Sequence, residues 1–328
     1  MSKLVTIYGG SGFVGRYVAR RMAQQGWRVR VVCRRPNEAL FVKPYGAVGQ
    51  VSVEFCNIRD DASVRAAMRG ADAVVNCVGI LVQDGRNRFD AVQAEGAARV
   101  ARIAAETGVA RLVQISALGA DAASPSQYGR SKAAGEAAVL QAFPKAVILR
   151  PSVIFGTEDD FFNRFATMAV RSPVLPLVGA ETRFQPVYVD DVAQAAVKGV
   201  LGEAEGCYDL GGPDVETLRQ LMTRMLAVIE RKRSIVALPR FVGALIATAG
   251  DAVQAVTLGL VTNRVLTRDQ LRNLYVDNIV APEARGFAAL GIAPVAMGAV
   301  LPDYLWRFRK AGQFEAIRAS ARNLRKLS

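Results

Sequence analysis

The first half of the chain alternates short apolar runs with segments of helical periodicity. Leu4–Tyr8 is wholly strand-like, and the apolar residues Val14, Val18 and Met22 then recur with the spacing of one helix face. The predicted strands are Leu4–Tyr8, Val29–Cys33, Val51–Cys56, Ala73–Val78, Leu112–Ser116 and Ala146–Leu149, and the later predicted helices are Ala62–Met68, Phe89–Thr107 and Tyr128–Ala142. Apolar strands separated by helices are typical of a parallel sheet covered on both faces. The sequence therefore predicts an α/β, Rossmann-like doubly wound fold.

A glycine-rich turn joins the first strand to the first helix in the run TIYGGSGFVG. Glycines at this spacing permit a tight turn and let the backbone approach a pyrophosphate, and the helix N-terminus offers free N–H groups and a partial positive charge. We therefore predict a bound nicotinamide dinucleotide held by Gly9, Gly12, Phe13, Val14 and Gly15.

The regular alternation weakens after about residue 156. Ser172–Gly179 is punctuated by prolines, Val187–Val200 returns to a strand followed by a helix, and Leu210–Pro213 reads as a turn. We predict an NAD(P)-binding Rossmann domain over residues 1–155. The remaining residues, 156–328, form a smaller, interleaved C-terminal portion, with about 184–200 returning to the Rossmann domain.

The residues after the second predicted strand indicate which coenzyme is bound. NAD-selective folds usually place a carboxylate there, whereas this chain has Arg34 and Arg35, whose guanidinium groups suit a 2′-phosphate. NADPH (NADP+) is therefore favoured over NAD(H). Asn57 follows the third strand and is predicted beside the adenine, and Val78 and Gly79 follow the fourth strand on the nicotinamide side.

A tyrosine and a lysine four residues apart form the candidate catalytic pair. Tyr128 and Lys132 lie on one face of a predicted helix, and Ser116 ends the strand that precedes it. An ammonium group near a phenol lowers the tyrosine pKa, which would let Tyr128 give and accept a proton near neutral pH. We predict Tyr128, Lys132 and Ser116 as the catalytic set.

Composition excludes several kinds of chemistry. The chain has no histidine, which removes imidazole catalysis and histidine-ligated metals, and its four cysteines lack metal-ligand spacing, so we predict no metal. The formal net charge is +13, but no nucleic-acid module is present and nucleic-acid binding is not expected. Much of the charge lies in the last residues, a basic tail that is solvated or docks on an acidic protein or an anionic membrane surface: Arg307, Arg309, Lys310, Arg318, Arg322, Arg325 and Lys326, against Glu315 alone.

Two further segments have competing interpretations. Phe241–Leu260 is apolar but interrupted by Asp251 and Gln254, which favours a buried or partner-facing helix pair over a helix lying in a membrane surface. The pair Asp190 and Asp191 precedes a predicted helix, so an N-cap is expected there. The chain begins Met-Ser-Lys and then enters the first strand, so no signal or transit peptide is expected.

These motifs together resemble the atypical extended short-chain dehydrogenase/reductases, and within them the NDUFA9-type (39 kDa) accessory subunits of respiratory complex I and their bacterial relatives. The superfamily resemblance lies in GGSGFVG, VNCVGIL, LVQISALGAD, SPSQYGRSKAAGE, LRPSVIFG, FQPVYVDDVA and YDLGGP, and the narrower one in LTRDQLRNLYVDNIV, GIAP and LPDYLWRFR.

The resemblance implies NADPH bound as a structural ligand in a peripheral protein. This protein would assemble with other complex I subunits on the cytoplasmic side of a bacterial inner membrane. Active extended reductases carry a serine about two residues after the strand-end serine, where this chain has Leu118, so the catalytic set would be vestigial. The alternative is a working NADP-dependent reductase, epimerase or dehydratase that uses Tyr128 and Lys132.

Overall fold

A parallel seven-stranded sheet forms the centre of the molecule. The computed structural model describes residues 2–257, 263, 266–310 and 312. Within these residues the strands are β1 Leu4–Tyr8, β2 Arg28–Cys33, β3 Val51–Phe55, β4 Ala73–Asn76, β5 Arg111–Ile115, β6 Val147–Pro151, β7 Ile154–Phe155, β8 Val174–Val178, β9 Arg183–Phe184, β10 Val187–Tyr188, β11 Gly206–Leu210, β12 Glu216–Thr217 and β13 Ser234–Leu238.

Helices connect these strands. The α-helices are α1 Phe13–Gln24, α2 Asp61–Met68, α3 Glu95–Glu106, α4 Gln127–Ala142, α5 Phe162–Arg171, α6 Val189–Leu201, α7 Leu218–Val228, α8 Arg240–Val256, α9 Arg268–Asn273 and α10 Met297–Leu305. Short 3₁₀ segments span Pro36–Tyr45, Phe287–Leu290 and Trp306–Phe308, and a π-helical turn spans Asp90–Ala94.

The order of the strands in the large sheet is β11-β6-β5-β4-β1-β2-β3, and all neighbouring strands are parallel. The direction of winding changes between β1 and β4, which opens a crevice at the carboxyl ends of these two strands. This arrangement confirms the predicted α/β, Rossmann-like fold and places the glycine turn after β1 at the crevice.

Two layers of helices cover the sheet because each presents an apolar face to it. Val18 and Met22 of α1 and Val192 and Ala196 of α6 belong to the core on one face. The other face is covered by α2, α3 and α4, whose buried residues include Val64, Val100, Ile103 and Val139.

Residues from the second half of the chain return to this sheet. Helix α6 packs on α1 and on the sheet, and β11 adds a strand beyond β6. The sequence analysis missed β11 because the end of this strand falls in a segment that was interpreted as a turn. A third core, which includes Phe162, Leu175, Leu221 and Leu301, lies among α5, α7, α10 and β8. The division into two domains stays a prediction.

Three predicted elements differ from the observed ones. The helix predicted over Phe89–Thr107 begins as the π-helical turn and continues as α3. The proline-punctuated segment Ser172–Gly179 contains β8, which pairs with β13. Asp190 and Asp191 do not cap α6, which begins at Val189. The two carboxylates lie in its first turn, where Asp190 pairs with Arg21 and Asp191 accepts a hydrogen bond from the Val295 N–H at 2.7 Å. The N-cap prediction was wrong because the helix starts earlier than its apolar spacing suggested.

The apolar stretch Phe241–Leu260 is not core throughout. Its described part is mostly α8, where Ala247 is fully buried but Phe241 and Leu245 are 73% and 69% exposed. Residues 258–260 lie outside the described residues, as do Arg318, Arg322, Arg325, Lys326 and Glu315 of the basic tail. Among the described helices, a search for one long and apolar enough to cross a membrane found none.

Candidate functional site

The turn after β1 packs too tightly for side chains at its glycines. Gly9 has a φ of 70°, in the left-handed region that favours glycine, and its N–H donates to the Val32 carbonyl at 2.9 Å. A Cβ added at Gly15 would overlap the Gly9 carbonyl oxygen, and one at Gly12 would lie 3.1 Å from the same atom. Helix α1 therefore starts in direct backbone contact with the strand turn.

This turn leaves backbone donors unpaired at the start of α1. The Gly12 N–H donates to Gly9 within the turn, but the N–H groups of Phe13, Val14 and Gly15 have no acceptor among the described residues. Free N–H groups at a helix N-terminus, together with the helix dipole, favour a phosphate group. The five predicted turn residues are therefore together in a cradle that fits a pyrophosphate.

The two arginines after β2 are both exposed. The Arg34 guanidinium donates to the Asn87 side chain at 3.1 Å, and Arg35 pairs with Glu38 at 3.3 Å with its side chain 77% exposed. Asn57 accepts hydrogen bonds from its neighbour Arg59, at 3.2 Å from the backbone N–H. Arg34 therefore contacts a side chain far along the chain, whereas Arg35 is held by an acid on its own segment.

A loop that the sequence analysis did not single out links the end of β2 to α8. Residues 80–89 follow Gly79 and lead into the π-helical turn that begins at Asp90. The loop is held by Arg34, after β2, and by Arg59, whose guanidinium donates to the Arg86 carbonyl at 2.8 Å. It is also held by Gln254 of α8, which donates to the Gln83 carbonyl at 3.1 Å. No sequence signal predicted these contacts because they join segments far apart in the chain.

Helix α4 carries the tyrosine and lysine of the predicted catalytic pair. Ser126 caps it by accepting the Gly129 N–H at 2.9 Å, and Asp269 of α9 accepts the N–H groups of Gln127 and Tyr128 at 2.6 and 3.0 Å. A carboxylate at this position satisfies two free donors and complements the helix dipole. Asp269 thus positions the start of α4 from 141 residues away.

Tyr128 and Lys132 are brought together at the crevice. The Lys132 ammonium lies 5.9 Å from the centre of the Tyr128 ring and 3.4 Å from a Cβ added at Gly79, and Val78 approaches Gly9 from the same side. Burial lowers the pKa of Lys132 to about 8 and raises the pKa of Tyr128 to about 12. The expected lowering of the tyrosine pKa was therefore wrong for this arrangement, because burial of the phenol outweighs the ammonium, which is itself buried.

Ser116 is committed to a buried ion pair. Its hydroxyl donates to the Glu136 carboxylate, which is 4% exposed. The same carboxylate accepts hydrogen bonds from the Arg150 guanidinium, from Nε at 3.0 Å and from Nη2 at 2.5 Å. Glu136 lies one helical turn after Lys132 and was missed by the sequence analysis, although its i+4 spacing from Lys132 was a signal that could have revealed it.

The position two residues after Ser116 lacks a hydroxyl group. Leu118 stands there, and its carbonyl accepts a hydrogen bond from the Asn278 side chain at 3.4 Å. Asn278 in turn accepts one from the Ser152 hydroxyl at 2.6 Å. The C-terminal portion therefore places an amide at the carboxyl end of β6.

The described residues hold no cluster of three or more histidine, cysteine, aspartate or glutamate side chains that could bind a metal ion. The ionisable groups that the structure describes around α4 are instead the half-buried Tyr128 phenol, the buried Lys132 ammonium and the buried Glu136 carboxylate, which is already paired with Arg150. Their chemistry is proton transfer and charge stabilisation.

The sequence of residues 5–205 matches the pattern of the NAD-dependent epimerase/dehydratase family, a match that covers more than half of the chain. The chain belongs to this family. Within it, the chain is 34% identical over 316 residues to the mitochondrial NADH dehydrogenase (ubiquinone) 1 alpha subcomplex subunit 9 of Arabidopsis thaliana, covering 94% of this chain and 79% of the relative. That relationship confirms the narrower resemblance to complex I subunits.

Two other comparisons extend this result. The ceramide reductase of Caulobacter vibrioides is 33% identical over 238 residues, covering 72% of this chain and 74% of the relative. The NAD complex of the UDP-glucose 4-epimerase of Thermus thermophilus superposes with a TM-score of 0.68 at 20% identity, over 94% of this chain and 99% of that one. The structural match concerns the fold alone.

Proposed function

We propose that the chain is an NADP(H)-binding accessory subunit of respiratory complex I, with the nucleotide bound as a structural ligand and little or no turnover. The observation that carries this proposal is the 34% identity to a complex I subunit over 94% of the chain. The relationship includes the C-terminal portion, which the family pattern over residues 5–205 does not reach.

The choice of NADP(H) over NAD(H) rests on the end of β2. A guanidinium group at Arg34, free of any carboxylate partner among the described residues, suits a 2′-phosphate. NAD-selective folds instead use an acid at this position to bind the ribose hydroxyls. The backbone cradle of Gly9, Gly12 and Gly15 with the N–H groups of Phe13 and Val14 would hold the pyrophosphate.

The low turnover follows from the donors around Tyr128. A hydride acceptor carbonyl needs a hydrogen-bond donor to stabilise the charge that develops on it, and removal of such a donor costs roughly 3 kcal/mol, about two orders of magnitude in rate. Ser116 already donates to Glu136, and Leu118 offers no hydroxyl group. The nicotinamide coenzyme supplies hydride chemistry when bound. Neither Ser116 nor Leu118, however, offers a free hydroxyl group that would act with Tyr128 as a second hydrogen-bond donor to a substrate carbonyl.

The docking surface of this proposal is the exposed apolar side of α8. Phe241 and Leu245 are four residues apart on this helix, and Val236 of β13 and Val276 are also exposed. An exposed apolar patch of this kind marks a contact with protein or lipid. We assign it to other complex I subunits near the membrane, with the basic residues after Arg307 facing an anionic membrane surface, on the cytoplasmic side of a bacterial inner membrane.

The proposal is tested by the nucleotide that copurifies with the protein and by the proteins with which it assembles. A tagged full chain expressed in its own host should sediment with membranes in an assembly of complex I size. It should also release one equivalent of NADPH on denaturation, measured by chromatography. A protein recovered from the soluble fraction without complex I subunits would contradict the assignment, and a protein without any pyridine nucleotide would contradict the coenzyme proposal.

A second candidate function is an active NADP-dependent reductase, epimerase or dehydratase. It is favoured by the presence of Tyr128 and Lys132 on one helix face and by the 33% identity to a ceramide reductase. The variant Tyr128→Phe separates the two. It should abolish carbonyl-dependent oxidation of NADPH in a reductase, and should leave assembly into complex I and nucleotide content unchanged in an accessory subunit.

A further inference from the structure

A cavity of about 540 Å³ lies near Tyr128, between the first turn of α4, the loop of residues 80–89 and α9. Phe89 lines one wall and contacts the Tyr128 ring edge to face, with ring centres 5.8 Å apart. The remaining walls combine one apolar side chain with amides and charged groups, including Val82, Gln127, Arg130, Arg268 and Arg272.

The two acids of the cavity are already used by the protein. Both oxygens of Asp269 accept hydrogen bonds from the start of α4, from Gln127 and Tyr128. The oxygens of Asp251 accept hydrogen bonds from the Asn263 side chain at 2.8 Å and the Arg268 N–H at 3.1 Å. Asp251 also faces the Arg268 guanidinium at 3.9 Å. One of the three arginines thus has a carboxylate partner.

The other two arginines are paired only with backbone carbonyl groups. Arg130 donates to the Ser124 carbonyl at 2.7 Å, and Arg272 donates to the carbonyl of the next residue, Pro125, at 3.3 Å. Neither guanidinium forms an ion pair within the described part of the chain. The carbonyls that hold them belong to the consecutive residues Ser124 and Pro125, so two positive charges are fixed at one wall of the cavity.

We propose that Arg130 and Arg272 form a phosphate-binding site that takes a phosphate ester, with the organic part of the ligand against Phe89 and Val82. A guanidinium group binds phosphate oxygens through two parallel hydrogen bonds, and the pair matches the charge of a phosphate monoester. The other N–H groups of each guanidinium are available, because the structure uses one nitrogen of each for the carbonyl contact. This site is separate from the pyrophosphate cradle at Gly12 and goes beyond the proposed function.

Two sources can supply a phosphate ester at this position. Helix α8 contributes Asp251 and Gln254 to the cavity and carries the exposed Phe241 ten residues earlier, roughly 15 Å along the helix at 1.5 Å per residue. A phospholipid headgroup would therefore be near the apolar docking surface, whereas a soluble phosphate ester would enter from solvent. The chemistry at the two arginines is the same in both cases.

The test is calorimetric titration of the NADPH-loaded full chain with inorganic phosphate and with glycerol 3-phosphate, at constant ionic strength. Saturating NADPH keeps the phosphate sites of the coenzyme filled. We expect the double variant Arg130→Gln/Arg272→Gln to bind phosphate at least about tenfold more weakly, since the loss of one charge-assisted hydrogen bond is enough for that factor. Arg171→Gln, at an exposed arginine that ends α5, is the matched control and should bind as the wild type does.

The outcomes separate the proposal from its alternatives. Equal phosphate affinity in the wild type and the double variant, or an equal response to chloride, would overturn the site. A loss of binding in Arg34→Gln instead would place the phosphate in the coenzyme crevice and overturn it too. If the double variant does not fold, Arg130→Lys and Arg272→Lys keep the charge but lose bidentate geometry, and each should weaken binding.

Vesicles distinguish the two sources. Sedimentation with phosphatidylglycerol vesicles that is lost in the double variant, but retained in Arg171→Gln, would identify a lipid headgroup. Binding of glycerol 3-phosphate with no arginine-dependent vesicle binding would identify a soluble ester. Because these measurements use the isolated, NADPH-loaded protein, they depend neither on assembly into complex I nor on turnover, so the choice between the two candidate functions does not affect them.

Discussion

Replacement of Glu136 by glutamine should destabilise the protein strongly, because it breaks a buried ion pair. Glu136 is 4% exposed and accepts hydrogen bonds from Arg150 and Ser116. Removal of one partner from a fully buried pair costs about 3–5 kcal/mol. Here the remaining Arg150 is 31% exposed and keeps Asp209 at 3.7 Å, which reduces the cost. Glutamine keeps the shape and one acceptor oxygen, so we expect a loss at the lower end, about 3 kcal/mol.

The expected change in melting temperature follows from the length of the chain. An unfolding entropy of roughly 2.1 cal/mol/K per residue amounts to about 0.7 kcal/mol/K for 328 residues. A loss of about 3 kcal/mol should therefore lower the melting temperature by about 4 °C in differential scanning calorimetry. Urea unfolding followed by circular dichroism gives an independent value of the same free-energy change.

A matched control is available on the surface of the same protein. Arg102 pairs with Asp61 and Glu106 between α2 and α3, with its side chain 44% exposed, so Arg102→Gln should cost at most about 1 kcal/mol. Ser116→Ala should cost about 1 kcal/mol through its hydrogen bond to Glu136. If Glu136→Gln costs no more than Arg102→Gln, Ser116 is not held by a buried carboxylate, and the argument for low turnover loses its basis.

Three further variants test the crevice and its supports. Arg34→Gln should weaken NADPH binding by roughly tenfold or more and leave NADH binding nearly unchanged in fluorescence titrations; equal losses would reject the coenzyme choice. Between pH 8 and 10.5 the unfolded chain holds the Lys132 proton more tightly than the folded protein. Wild-type stability relative to Lys132→Met should therefore rise with pH across this window, by at most about 3 kcal/mol, and a constant difference would contradict the lowered pKa. Asp269→Asn should cost about 1–2 kcal/mol in urea unfolding by weakening the start of α4, whereas the exposed Asp303→Asn should cost almost nothing; similar values would argue against that support.

Much of the fold could be predicted because its signals are local. The mainly apolar runs that became β1, β2 and β5 each lie within five or six neighbouring residues. The glycines after β1 stand at the spacing that a turn into a helix requires. The predicted boundaries of helices were wrong where two local signals competed. Asp190 and Asp191 were predicted to cap the helix that follows them because aspartate is common at helix N-caps. The helix, α6, instead begins at Val189, and both aspartates bind partners in other elements.

The sequence alone determined the parallel sheet, the glycine turn and the pair Tyr128 and Lys132 on one helix face, since each depends on spacing within a few residues. Only the tertiary structure decided that Ser116 donates to Glu136, that Asp269 supports α4 and that burial raises the tyrosine pKa. These properties depend on side chains brought together from distant segments and on the exclusion of water around them. Neither the long-range contacts nor the burial can be read from the order of neighbouring residues.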